Sequence, residues 1–152
     1  MRIGIGLGVA AGALLLAGAA FAEQSRIPDK ATYRAMLDVN AETGWVIFQE
    51  EGKQQRLYFS PVAGMLCGLK EIRYSINSDA LDQIFPLGKC IPQTPFVIDS
   101  RDPSSILITY PKGTVQRVAV QVVFTDGEES EVRTYEPCEN IGEQLCSWPV
   151  KE

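Results

Sequence analysis

Hydrophobic and polar positions alternate most regularly between Thr114 and Glu136. Val118, Val120, Val122 and Phe124 alternate with Arg117, Ala119, Gln121 and Val123, the period-two pattern of a strand with one face buried. Thr125-Asp126-Gly127 fits a three-residue hairpin loop with Gly127 in the left-handed conformation. That loop sets Val120 opposite Val132 and Val118 opposite Thr134 on one face, with Gln121 opposite Glu131 and Ala119 opposite Arg133 on the other. A two-residue Asp-Gly turn would set Val122 against Glu131 and bury a charge, so the three-residue loop is preferred.

The rest of the chain repeats this idiom in shorter pieces. Ala31, Tyr33, Ala35, Leu37 and Val39 alternate, which predicts a strand over 31–40; Tyr33, Met36, Leu37 and Asn40 also fit a helical spacing. Trp45–Gln49 and Gln55–Ser60 predict a second hairpin around Glu50-Glu51-Gly52-Lys53, with a two- or four-residue loop. Its register pairs Val46 with Leu57 and Trp45 with Tyr58. Lys70–Asn77 alternates again. Ile84–Leu87 reads as an edge strand interrupted by Pro86. Short strands are predicted at Phe96–Ile98 and Ile106–Tyr110, separated by a turn-rich run. About eight short strands with no long helix predict an all-β fold, an antiparallel sandwich or a small barrel.

The order IRYSIN, then a Pro-rich loop, then ITYPKGTVQRVAVQVVFTDGEESEVRTYE resembles the later strands of bacterial immunoglobulin-like and fibronectin type III-like domains. The likeness covers about residues 67–137. It implies an Ig-like β-sandwich, an architecture that hosts many binding functions and specifies none.

Composition changes this picture in three ways. First, Arg2, the apolar run Ile3–Ala20 and the small-x-small end Ala20-Phe21-Ala22 read as a signal peptide over residues 1–22, leaving 23–152 as one secreted β-domain with no membrane span. The Ala/Gly-rich leader suggests a bacterium, hence a periplasmic or secreted location. Second, four cysteines behind a signal peptide predict two disulfides. Three pairings are possible; the sequence-local set, Cys67–Cys90 and Cys138–Cys146, is favoured over a four-thiolate zinc site, which lacks a C-x2-4-C pair. Third, 14 basic and 19 acidic residues give a net charge of −5, and loss of residues 1–22, with one Arg and no acid, makes the remainder one unit more negative. That balance disfavours nucleic acid and anionic membranes as partners.

Candidate chemistry is sparse. The chain contains no histidine, which removes His-based nucleophilic catalysis and His-ligated metals. It has no phosphate-cradling glycine motif. Glu50/Glu51 and Glu128/Glu129/Glu131 sit at predicted hairpin tips and read as solvated charge. Asp99/Asp102 and Asp126/Glu128 are possible calcium ligands, but no twelve-residue calcium loop is visible. No enzyme activity, cofactor or metal is therefore expected. The expected function is a non-catalytic binding or structural module of the bacterial envelope, with a protein or glycan as partner. The alternative is an inhibitor of a secreted hydrolase, inserting a rigid loop such as Cys90–Pro95. Trp45, Tyr58 and Arg56 are the candidate binding residues: either an exposed platform for a sugar ring or peptide, or ordinary cross-strand packing.

Overall fold

A computed structural model describes residues 25–140 and 142–151; the expected signal peptide lies outside the described residues. Two antiparallel sheets form the body. One has three strands in the order β1 (Ile47–Glu51), β2 (Gln54–Tyr58), β5 (Leu107–Pro111). The other has five, in the order β4 (Gln83–Phe85), β3 (Leu69–Ile76), β6 (Val118–Phe124), β7 (Arg133–Glu136), β8 (Trp148–Pro149). The sheets do not close into a barrel, and the arrangement is compatible with a sandwich. Both favoured disulfides, Cys67–Cys90 and Cys138–Cys146, are present.

The predicted strand over 31–40 is instead a helix, α1 (Lys30–Ala41). Three of the five alternating positions, Ala31, Ala35 and Val39, are exposed, whereas Tyr33, Leu37 and Ala41 are buried at four-residue spacing. The Asp29 carboxylate accepts from the Thr32 N–H at 2.8 Å and caps the start. Beyond the end, the Gly44 N–H donates to the Asn40 carbonyl at 2.8 Å. Gly44 has φ 115°, and a Cβ there would lie 2.6 Å from Ser147 Cβ, so glycine is required both by the backbone and by the passing C-terminal segment.

The helix closes one side of the core and the inner faces of the sheets close the rest. Val118, Val120, Val122 and Phe124 of β6 meet Tyr33, Leu37, Phe48, Leu57 and Ile72 in one buried cluster. Phe59, just past β2, bridges the sheets: its ring stacks on Phe85 with centroids 4.4 Å apart and meets Tyr74 at 5.0 Å. Gln55 of β2 is buried. Its amide N–H donates to the Val115 carbonyl at 2.8 Å, and its carbonyl oxygen accepts from the Val115 N–H at 2.9 Å, which fixes the crossing from β5 to β6.

Both hairpins depart from the expected registers. At the β6–β7 tip, the predicted three-residue loop forms: Gly127 has φ 89°, the Phe124 N–H donates to Glu128 O at 2.8 Å, and Val123 bridges Glu129. Ser130 then stands in for a strand residue, its Oγ accepting from Val122 N–H at 3.0 Å while its own N–H donates to Val122 O at 2.9 Å. The chain takes in one extra residue there, a bulge, and below it Val120 pairs with Arg133 and Val118 with Tyr135. Val132 is thereby exposed and Tyr135 buried, the reverse of the expected facing. In the β1–β2 hairpin the loop has two residues, as expected, but they are Gly52-Lys53. Phe48 therefore pairs with Leu57 and Ile47 with Tyr58, two residues away from the expected pairing. Gly52, with φ 59°, supplies the positive φ such a turn needs.

The C-terminal segment links the sheets. Cys146 exchanges two backbone hydrogen bonds with Phe48 on the edge of β1, at 2.8 and 3.0 Å, and two residues later β8 pairs with β7. The Cys138–Cys146 disulfide holds this segment across the gap.

Candidate binding surface

Of the two readings of Trp45, Tyr58 and Arg56, the exposed platform does not form, and Trp45 is packed. Trp45 is only 3% exposed, and its indole N–H donates to the Leu37 carbonyl at 2.9 Å, so the ring is a wedge beneath α1. Tyr58 is partly buried and its hydroxyl donates to Gln49 Oε1 at 2.9 Å. Arg56 is spent on an ion pair with Glu51. The acidic hairpin tips are likewise occupied. Glu128 pairs with Lys30 and Arg34, Glu129 with Arg73, and Glu50 with Lys112. Lys30 and Arg34 also lie over the Phe124 ring, at 5.7 and 5.6 Å from its centroid, which docks α1 on the β6–β7 hairpin. Asp99 is gripped by the Arg101 guanidinium, through two hydrogen bonds of 2.8 Å, which holds its carboxyl down at about 2. The Asp102 carboxylate caps the short 3-10 turn at Ser104.

Large apolar side chains stay exposed in the C-terminal segment, at Leu145, Trp148 and Val150, and on the loop after Cys90, which is braced. The predicted strand at Phe96–Ile98 is absent; Pro92 and Pro95 impose two successive turns instead, closed by Thr94 N–H to Ile91 O at 2.9 Å and Val97 N–H to Thr94 O at 3.1 Å. Three anchors hold the loop. Cys90 is bonded to Cys67, Pro95 is buried, and Ile98 packs against the core. A fourth comes from the N-terminal lead, where the Arg26 N–H donates to Pro92 O at 2.9 Å. Phe96 lies against Tyr33, centroids 5.9 Å apart. Despite these anchors, large apolar side chains face solvent: Ile91 is 48% exposed, Phe96 43%, Val97 58%, and Ile27 on the paired lead 37%. Exposed apolar groups gathered on a braced loop mark an interaction surface.

Three surface grooves lie elsewhere. One of about 440 Å³ runs between β1 and the C-terminal segment, another of about 230 Å³ beside Arg34 and Trp45, and the largest, about 730 Å³, along β7 and β8 past the Asp79–Arg117 ion pair. None takes in a residue of the stapled loop. Reading Phe96–Ile98 as a strand hid these side chains. The signal that could have found them was the pair of prolines, which deny strand pairing and leave the neighbouring apolar residues without a sheet to cover them.

By its fold, the chain is an antiparallel two-sheet β protein with a helix over one side and a disulfide-braced apolar loop. Comparison with protein-family models, with curated proteins and with solved structures gave no match.

Proposed function

We propose that the protein is a secreted or periplasmic, non-catalytic binding module, and that the stapled loop Cys90–Val97, with Ile27 beside it, is the binding surface. The observation that carries this reading is the exposure of Ile91, Phe96 and Val97 on a loop fixed by the Cys67–Cys90 bond. A braced loop loses little conformational entropy on binding, so its apolar area is turned efficiently into affinity. Both disulfides fit an oxidising compartment, and no helix among the described residues is long and apolar enough to cross a membrane. The two carboxylates with displaced titration, Asp29 and Asp99, move down, opposite to the direction a general acid at neutral pH needs. From the immunoglobulin-like resemblance of residues 67–137 the proposal takes only the architecture, a scaffold that presents loops.

The second reading is an inhibitor of a secreted hydrolase. It is favoured by the bracing of the loop, which takes no part in the three grooves described above. Affinity capture from envelope extracts and culture medium tests the primary reading, with wild-type protein beside a Phe96→Ser/Val97→Ser variant whose thermal unfolding matches wild type. A partner held by wild type and lost by the variant is the expected result. Partners held equally by both refute the loop as the site. A captured hydrolase whose activity falls on binding selects the inhibitor reading.

A further inference from the structure

The ion pairing of the surface gives the loop a second character, and it bears on what the loop meets. Eight of the cationic side chains are paired with carboxylates: Lys30, Arg34, Arg56, Arg73, Arg101, Lys112, Arg117 and Arg133. Among the described residues, Arg26, Lys53, Lys70, Lys89 and Lys151 have no such partner; Lys53 lies at the β1–β2 turn and Lys151 near the C-terminus, while the other three lie close in sequence or by hydrogen bond to the Cys67–Cys90 staple and its loop. Lys89 adjoins Cys90, Lys70 lies three residues beyond Cys67, and Arg26 is hydrogen-bonded to Pro92. A chain that is acidic overall thus places free cations beside its exposed Ile27, Ile91, Phe96 and Val97.

We infer that this face docks on an anionic phospholipid bilayer, with the apolar loop entering the headgroup region and Arg26 and Lys89 meeting lipid phosphates. The inference rests on the proposed binding role of the loop and names its partner. Apolar tips flanked by Arg and Lys are the composition of an interfacial membrane contact. The net charge does not forbid it, because screening confines attraction and repulsion to about 8 Å at physiological salt, and the carboxylates engaged in ion pairs at the β6–β7 hairpin are already neutralised locally.

The test is co-sedimentation of residues 23–152, which hold the whole core described above, with both disulfides intact. The vesicles are mixed phosphatidylglycerol and phosphatidylcholine, beside vesicles of pure phosphatidylcholine. Wild type is expected to bind the mixed vesicles. Phe96→Ser/Val97→Ser lowers that binding about tenfold or more. Val97→Asp, at the most exposed of the four positions and thus safest for folding, lowers it comparably. Arg26→Gln/Lys89→Gln removes the preference for anionic lipid, about fivefold per cation. Absence of wild-type binding to both vesicles, or equal binding by the loop variants, overturns the inference. If vesicles fail while the loop variant still loses a captured protein, the lipid assignment falls and the binding-module reading stands.

Discussion

Replacing Gln55 by Leu should unfold this protein more readily than any surface change. Gln55 is 1% exposed and Val115 is 2% exposed. The two bonds between the Gln55 amide and the Val115 backbone, at 2.8 and 2.9 Å, leave no room for a solvent substitute. Leucine keeps the volume and removes both bonds, stranding one N–H and one carbonyl. A buried backbone group without a partner costs about 1–3 kcal/mol, so the pair costs about 2–5 kcal/mol after some gain from the added apolar surface. Against a total stability of roughly 5–15 kcal/mol, that is a large share. Urea unfolding followed by tryptophan fluorescence, with disulfides intact, reads it directly. The midpoint should fall by about 1–3 M with an unchanged slope. Gln55→Glu separates the two bonds: the carboxylate still accepts from Val115 N–H but cannot donate to Val115 O, and it is a buried charge. Burial raises that carboxyl's folded pKa above the unfolded value of about 4.3, so the variant's stability is fullest below that pH and falls as pH rises through the folded pKa. A Gln55→Leu midpoint within about 0.3 M of wild type at constant slope would show that Val115 finds other partners and that the clamp is dispensable.

Two further perturbations test the packing. A Cβ at Gly68 would lie 2.4–2.7 Å from three atoms of the Tyr33 ring, which is buried and cannot swing away, so Gly68→Ala should cost about 1–3 kcal/mol; Tyr33→Ala should relieve much of that cost, and additive losses in the double-mutant cycle would contradict the contact. Tyr135 is buried, with its hydroxyl donating to the Ala41 carbonyl at 3.1 Å, and burial pushes its phenol up to about 12. The unfolded chain loses that proton first, near pH 10, so this contribution to stability is whole below about pH 10 and is lost between about 10 and 12, an order-of-magnitude 2 kcal/mol. Tyr135→Phe should lose about 1 kcal/mol at neutral pH and show a flatter alkaline decline in pH-dependent urea unfolding; an unchanged alkaline slope counts against the assignment.

How far the sequence carries this fold depends on how locally each feature is determined. Strand β6 was legible because its inward positions, Val118 to Phe124, are all large and apolar, and the loop at Gly127 because only glycine adopts φ 89° freely. The β7 register was not, because the shift depends on a Ser130 hydroxyl replacing a backbone acceptor, an option that any serine near a turn possesses and few use. Helix α1 was misread through its exposed alanines, which satisfy either period. The better signal was Asp29 ahead of the run, a cap residue three positions before the amide it holds. That one misreading propagated. Without a helix above it, Trp45 has no carbonyl to receive its indole N–H, and platform and packing stay open; with α1 present, the Leu37 carbonyl accepts that hydrogen bond and the ring is core.

Net charge is a coarse guide for a related reason. A net value sums over the chain, while a partner meets only what the fold leaves unpaired. Here most carboxylates at the hairpin tips are matched by cations brought from elsewhere in the sequence, Lys30 to Asp126 and Arg73 to Glu129 among them. Nothing in the linear order announces those pairs, since they join α1 or β3 to a loop far along the chain. Once they are subtracted, the acidic excess says little about the end of the molecule where Arg26 and Lys89 flank Phe96 and Val97. Which residues share that end follows from the Cys67–Cys90 bond and the Arg26–Pro92 hydrogen bond, and neither can be read from a sum of charges.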